Sequence, residues 1–309
     1  MIDESLIDKK NWEEHYVRRG DPTKPTYYIA RRKWETTGLF TIYRYVMGHI
    51  RHALANGWIP VVDMQYYPNP HLSPEKLGKE NAWEYYFEQP MRIGLDEAYN
   101  GENIVLSDGD NVKPYPIHSA NILYNKNGSL TKWQELIKNG QMKVKPERME
   151  EILATRKKLF APQDRVLGVL LRGTDWTVRK LKNHPIPPTI ELAISTISKK
   201  LTEWNCNKIF LATEDKAIVE QLKNVFGDIC VILDREYVNY NPKTDKSVGL
   251  SRIARPNDHF IQGKDYLAQI VLLSMCTSII GARCSGTTSA VLMADNFENK
   301  YFFNLGLYK

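Results

Sequence analysis

Little in this chain announces a function. Its 309 residues hold four cysteines, Cys206, Cys230, Cys276 and Cys284, and none are spaced as CxxC or another metal pair. That excludes a zinc ribbon, an iron–sulfur cluster and a disulfide scaffold. The thiols read instead as free and mostly buried, as a reducing compartment keeps them. No GxGxxG, GxxxxGKS/T, GxSxG or HExxH occurs, so dinucleotide fingerprint, P-loop, nucleophile elbow and zincin helix are all absent. His49 and His52 share a helix face, but no carboxylate or cysteine pattern joins them into a metal site. The longest apolar run, Tyr266–Ala282, is broken by Gln269, Ser274, Thr277 and Ser278; it is too short and too polar to span a membrane and reads as a helix followed by a strand. The opening MIDESLIDKKNW is polar and acidic, unlike a signal peptide, which makes the expected location cytoplasmic.

Strong charge of one sign is also missing. Lys and Arg number 42 against 36 Asp and Glu, a net charge of +6. No basic block is longer than Arg31-Arg32-Lys33, which argues against a nucleic-acid partner. The mild excess suits a nucleotide diphosphate or an anionic membrane surface, with peripheral membrane association as one expectation. Aromatics are plentiful, with 17 Tyr and 7 Trp. Such rings stack on sugars and equally fill cores.

The length suits two domains, and we expect a first over residues 1–160 and a second over 161–309, divided where Ala161-Pro162-Gln163 interrupts the pattern. In the first, Thr26–Arg31 reads as a strand, Leu39–Ala55 as a helix stopped by Asn56-Gly57, and Ile59–Met64 as the next strand. Asn103–Asp108 reads as a third strand. Ser107–Asp110 reads as an acidic turn. Thr131–Lys138 and Pro146–Leu159 read as helices. In the second domain the strands are Val166–Leu171, Lys208–Thr213, Cys230–Leu233 and Ser278–Ala282. Helices over Pro188–Trp204, Ala217–Phe226 and Asp265–Met275 alternate with them, a doubly wound parallel sheet. Tyr301–Leu305 is a short strand or a segment packing back on the first domain.

The stretch on which this layout turns is VLGVLLRGTDW, Val166–Trp176. A continuous apolar run stops on Arg172-Gly173-Thr174-Asp175, at the place where open α/β sheets bind ligands. Arginine presents a planar fork of donors that suits phosphate, and glycine lets backbone and ligand approach closely. From the residues alone this is either an Arg–Asp pair at an ordinary strand end or an anion site. Two later stretches have a similar form. Thr213-Glu214-Asp215 ends the strand FLA. Gly281–Ala290, GARCSGTTSA, sets Ser285, Gly286, Thr287 and Thr288 between a strand and an apolar helix starting at Ala290, which is an N-cap or an anion cradle. Asp234-Arg235 is a further strand-end pair.

In this order, with His184-Pro185-Ile186 between them, the motifs resemble the fucosyltransferase superfamily of α1,6-fucosyltransferases, Nod-factor fucosyltransferases and protein O-fucosyltransferases. That family's first signature is His-x-Arg-Arg-x-Asp at a strand end. Here Leu170 stands for the His and Gly173 for the second Arg, while Arg172, Thr174 and Asp175 match. The likeness covers roughly residues 166–295; over the first half it is one of layout, with Asp63 in the place of a strand-ending Asp.

The resemblance implies an α/β, GT-B fold of two Rossmann-like domains facing a central cleft, the first on the acceptor side. It implies an inverting hexosyltransferase that needs no cofactor and moves fucose or a related sugar from a GDP-sugar to a glycan or glycolipid acceptor, as in polysaccharide biosynthesis. Arg172 would steady the leaving diphosphate. Gly173, Thr174, Asp175, Thr213, Ser285, Gly286, Thr287 and Thr288 would bind the donor, and Asp215 would accept the two N–H donors of guanine. Asp63 is the candidate base. The Asp-x-Asp of metal-dependent enzymes occurs only as Asp108–Asp110, in the half away from the donor, so the expected site has no metal. Leu170 and Gly173 leave two alternatives open: a different nucleotide sugar, or a non-catalytic nucleotide-sugar or glycan binder.

Overall fold

The structure, a computed structural model, describes residues 15–31, 37–107, 119–173, 180–239 and 252–309. Thr174, Asp175 and the Asp108–Asp110 turn lie outside them. The chain divides into two compact units. The first comprises Met1–His118, Gly128–Arg148 and His259–Lys264; the second comprises Ser119–Asn127, Met149–Asp258 and Asp265–Lys309. Instead of a single break near residue 160, the units exchange segments.

The first unit carries a sheet ordered β1-β4-β2-β3, from β1 (His15–Arg18), β2 (Thr26–Arg31), β3 (Ile59–Asp63) and β4 (Asn103–Leu106). β2, β3 and β4 are parallel and β1 is an antiparallel edge. The period of two in TYYIAR sorts its residues to opposite faces. Ile29 packs with Val61, Ile104, Leu106, Leu95 and Ala98, the last two from α2 (Leu95–Asn100). Tyr28 and Ala30 pack on the other face with Val105 and with Ala53 of α1 (Leu39–Ala55). His49 lies on that same helix, and its Nδ1 meets the Tyr28 hydroxyl at 2.8 Å, so it is a core residue.

After α3 (Ser119–Leu123), α4 (Ser129–Lys138) and α5 (Pro146–Leu159) comes the second sheet. It is built from β5 (Val166–Leu170), β6 (Lys208–Ala212), β7 (Cys230–Ile232), β8 (Ser278–Ala282) and β9 (Asn299–Phe303), all parallel, in the order β7-β6-β5-β8-β9. The chain builds outward from β5 on one side, then returns to add β8 and β9 on the other. The strand order therefore reverses between β5 and β8, which is where such sheets bind ligands. β5 is buried at every residue, as a strand covered on both faces must be. Leu167 and Val169 pack toward Ala193 and Ile197 of α6 (Ile190–Glu203) and Leu222 of α7 (Lys216–Phe226). Gly168, on the other face, leaves room for Leu273 and Cys276 at the end of α8 (Asp258–Ser274).

The C-terminal stretch forms a short strand, one of the two expectations for it. β9 starts at Asn299 and extends the second sheet beside β8. The residues after it bond to the His184-Pro185-Ile186 segment: Ile186 N–H donates to the Gly306 carbonyl and Tyr308 N–H to that of His184, each at 3.0 Å. All of these residues belong to the second unit.

Candidate functional site

The site forms at the carboxyl end of the second sheet. β5 and β6 run side by side with Leu170 opposite Ala212, so Arg172 and Glu214, each two residues further on, leave the sheet at neighbouring positions. The Leu171 N–H still bonds the Ala212 carbonyl at 3.2 Å, which carries the pairing one residue beyond β5. A pocket partly open to solvent lies at these ends. Arg172, Gly173, Thr213, Glu214, Tyr266 and Gln269 supply its polar and backbone lining, over a floor of Leu170, Leu171 and Ala212.

Two of these residues come from α8 and were not singled out from the sequence. Gln269 is buried at 1 % exposure, and its side-chain amide donates to the Thr213 carbonyl at 2.7 Å. Its oxygen faces the Arg235 guanidinium at 3.5 Å. A glutamine inside the otherwise apolar stretch YLAQIVLL was the available signal. Tyr266 is packed against the helix that follows β8. A Cβ on Gly286 would stand 2.7 Å from the Tyr266 hydroxyl oxygen and 2.9 Å from Leu170 Cδ1, so only glycine lets these chains approach so closely. Burial raises the Tyr266 pKa, with the Cys284 and Glu214 charges adding to it, while the Arg172 guanidinium beside the phenol works against that rise. Tyr266 thus ties Arg172 to the β8 turn.

That turn opens α9, Ser285–Met293, which starts five residues before the expected Ala290. Small polar residues are poor helix formers alone, and burial of Gly286 to Leu292 overrides that weakness. The N-cap is Cys284, whose sulfur accepts from the Thr287 N–H at 3.5 Å. Thr288 Oγ1 donates back to the Cys284 carbonyl at 2.8 Å, and Thr287 Oγ1 lies 3.3 Å from the thiol. Thr287 and Thr288 are fully buried, so these hydroxyls build the turn. Ser285 and Gly286 remain at the helix N-terminus, where aligned peptide dipoles favour an anion.

Other expected site residues fall elsewhere. Asp215 is the N-cap of α7: its Oδ1 accepts from the Ala217 N–H at 2.9 Å, and the residue is 2 % exposed. It does not line the pocket, whereas its neighbour Glu214 does. Thr213 lines the pocket and its hydroxyl accepts from the Asp215 N–H at 3.2 Å. Arg235, read as part of a strand-end pair, sits against Asp265 at 3.6 Å. Asp63 lies at the end of β3 with no exposed surface. Its Oδ2 accepts from the Tyr99 hydroxyl at 2.5 Å and its Oδ1 from the Gln65 and Tyr66 N–H groups at 2.8 and 3.2 Å. Those bonds make it the anchor of a turn, with no open lone pair facing solvent. Among the described residues, no group of three or more His, Cys, Asp and Glu side chains could hold a metal ion. No described helix is long and apolar enough to cross a membrane.

No protein-family model matches the chain, and no curated protein does. Solved structures do. The chain is similar to NodZ alpha-1,6-fucosyltransferase co-crystallized with GDP, at a TM-score of 0.54 and 14% identity, over 88% of this chain and 93% of that one. It is similar to fucosyltransferase NodZ from Bradyrhizobium at a TM-score of 0.55 and 14% identity, over 88% and 94%. It is similar to POFUT1 in complex with GDP-fucose at a TM-score of 0.55 and 10% identity, over 92% and 98%. At such identities the likeness is one of fold: the chain has the α/β fold of these GT-B fucosyltransferases.

Proposed function

We propose that the chain is a glycosyltransferase that takes fucose or a related sugar from a GDP-sugar and passes it, with inversion, to a glycan acceptor. The observation that carries this reading is Arg172 beside the open end of β5, held by Tyr266 against the glycine-containing start of α9. A guanidinium and a helix N-terminus at a strand-order reversal offer complementary donors to a diphosphate. As the glycosidic bond breaks, negative charge grows on the β-phosphate, and Arg172 would hold it without reorganising. Gly173 and Thr213 line the same pocket, and Gly286 and Ser285 present the helix terminus; these are the donor contacts we assign. Thr174 and Asp175 keep the donor role that the signature implies. The NodZ and POFUT1 structures that share this fold hold GDP or GDP-fucose, which supports the choice of donor.

In this reading the two units face each other across a cleft and the first supplies the acceptor side. The acceptor is a surface polysaccharide or glycolipid. The four buried free thiols fit a cytoplasmic site of action, and the +6 net charge fits peripheral contact with an anionic membrane. Arg172 and the start of α9 supply the positive charge, so turnover is expected to survive chelation by EDTA. Thermal-shift measurements with GDP, UDP and dTDP test the donor: GDP is expected to stabilise the chain most. Equal stabilisation by UDP would sink the GDP-sugar assignment.

A second reading has a specific observation behind it. Leu170, which stands for the family's His, turns its side chain toward Gly286, so the position offers the site no polar group. That fits a protein that binds a nucleotide sugar without turning it over. GDP-fucose hydrolysis or transfer, measured beside GDP binding, separates the two.

A further inference from the structure

We infer that Glu214 recognises the ribose diol of the bound nucleotide, which makes it the residue that separates ribonucleotides from 2′-deoxyribonucleotides. The inference rests on the nucleotide-sugar reading above and deepens it. It starts from a mismatch inside the pocket. The lining holds one guanidinium, Arg172, and one carboxylate, Glu214. The two leave adjacent parallel strands at register-equivalent positions, two residues beyond the Leu170–Ala212 pair. Neighbouring strands stand about 4.8 Å apart, so the two side chains start out close together. They also act on one group in opposite senses: the Glu214 charge raises the Tyr266 pKa and Arg172 lowers it.

A diphosphate held by Arg172 cannot also lie against Glu214, because like charges repel. The carboxylate must therefore meet a neutral part of the nucleotide that donates hydrogen bonds. Two parts do so, the ribose hydroxyls and the base edge. The ribose is bonded directly to the phosphates, whereas the base lies beyond it. A carboxylate one strand from the phosphate-holding arginine is therefore placed for the diol. Dinucleotide-binding sheets use the same arrangement, with phosphates at the end of the first strand and an acid near the neighbouring one on the ribose. Asp215 is not free for this role, since the first turn of α7 takes its Oδ1 and its exposure is 2 %. Glu214 is only partly buried and lines the pocket, and its peptide carbonyl is fixed by the Val238 N–H at 2.9 Å, which holds its backbone in place.

The experiment is titration calorimetry on the full chain with GDP, 2′-deoxyGDP and IDP, for the wild type, Glu214→Gln and Glu214→Ala. A hydrogen bond from a hydroxyl to a charged acceptor is worth about tenfold or more in affinity. The wild type should therefore bind GDP at least about tenfold tighter than 2′-deoxyGDP, and Glu214→Ala should bind the two alike. Glu214→Gln, which keeps the shape, should lose most of the preference. Three results overturn the inference. The wild type could bind GDP and 2′-deoxyGDP equally. The variants could keep the preference. Or Glu214→Ala could lose discrimination between GDP and IDP, which would put the carboxylate on the base. If the wild type binds no nucleotide at all, the nucleotide-sugar reading itself fails; GDP binding without a diol preference overturns this inference alone.

Discussion

Each sheet ends in an arginine and a carboxylate on neighbouring strands, and the two ends treat them in opposite ways. In the first unit, Arg31 closes β2 and Asp63 closes β3, opposite one another in register. Their groups are turned inward. Asp63 takes bonds from Tyr99, Gln65 and Tyr66, and the Arg31 charge acts on it. Arg31 N–H donates to Ser107 Oγ at 2.8 Å, and its guanidinium lies 5.2 Å from the centre of the Tyr67 ring. In the second unit, Arg172 and Glu214 end adjacent strands two residues further out and line a pocket. The same pair of residue types is a structural clasp when it sits inside the last ladder pair and lines a pocket when it stands beyond it. Position relative to the end of the hydrogen-bonded ladder decides between them.

The sharpest way to break the comparison is to remove the carboxyl from the clasp. Asp63→Ala leaves the Tyr99 hydroxyl and two backbone N–H groups without their acceptor. Each buried donor left unsatisfied costs about 1–3 kcal/mol. Urea denaturation should show a loss of that order. A loss below about 1 kcal/mol, the range of exposed pairs, would mean that the clasp does not hold the first unit together.

At the other end the expected loss is in activity. Arg172→Ala should cost on the order of a hundredfold in kcat, the usual effect of deleting one preorganised donor to a developing anion. Arg172→Lys keeps the charge but not the fork, so it should recover little. Both should melt near the wild type, because Arg172 lies outside the ladder. Near-normal turnover in Arg172→Ala would remove it from the mechanism; unfolding of both variants would make it a clasp like Arg31.

How much of this was legible depended on which forces act locally. Leu39–Ala55 and Ser278–Ala282 read at their observed bounds because apolar spacing and the Asn56-Gly57 stop are written into the chain itself. β1 did not, since a four-residue edge strand, HYVR, exists through pairing with β4. α8 begins at Asp258, ahead of the expected Asp265. In the site, Arg172 stood out as the break after an apolar strand. The choice between Glu214 and Asp215 did not, because adjacent carboxylates differ only in which one the helix terminus takes. Tyr266 and Gln269 reach the pocket through tertiary packing, which no local pattern encodes.

A smaller effect is expected where the two loops of the site touch. Gly286→Ala would push a methyl against the Tyr266 hydroxyl and Leu170 Cδ1. Overpacking of this kind costs about 1–3 kcal/mol. The displaced Tyr266 should also loosen its hold on Arg172, so GDP should bind more weakly even after the stability loss is allowed for. Unchanged GDP affinity in a folded Gly286→Ala protein would show that Tyr266 does not position the arginine.

The smallest effect lies in the pH dependence of the clasp, and it has a definite sign. Burial raises the Asp63 pKa above the ordinary carboxylate range, although the bonds from Tyr99, Gln65 and Tyr66 and the charge of Arg31 oppose that rise. The folded state therefore holds this proton to a higher pH than the unfolded state does. Stability from Asp63 is then fully present below the unfolded value, about pH 4, and is lost as pH rises through the folded one. Asp63→Asn keeps the shape and cannot titrate. The gap in melting temperature between Asp63→Asn and the wild type should thus move in the variant's favour as pH is raised from about 4 toward neutrality. Movement the other way would mean that Arg31 and the three hydrogen bonds outweigh burial, and that the clasp is held by an ionised Asp63.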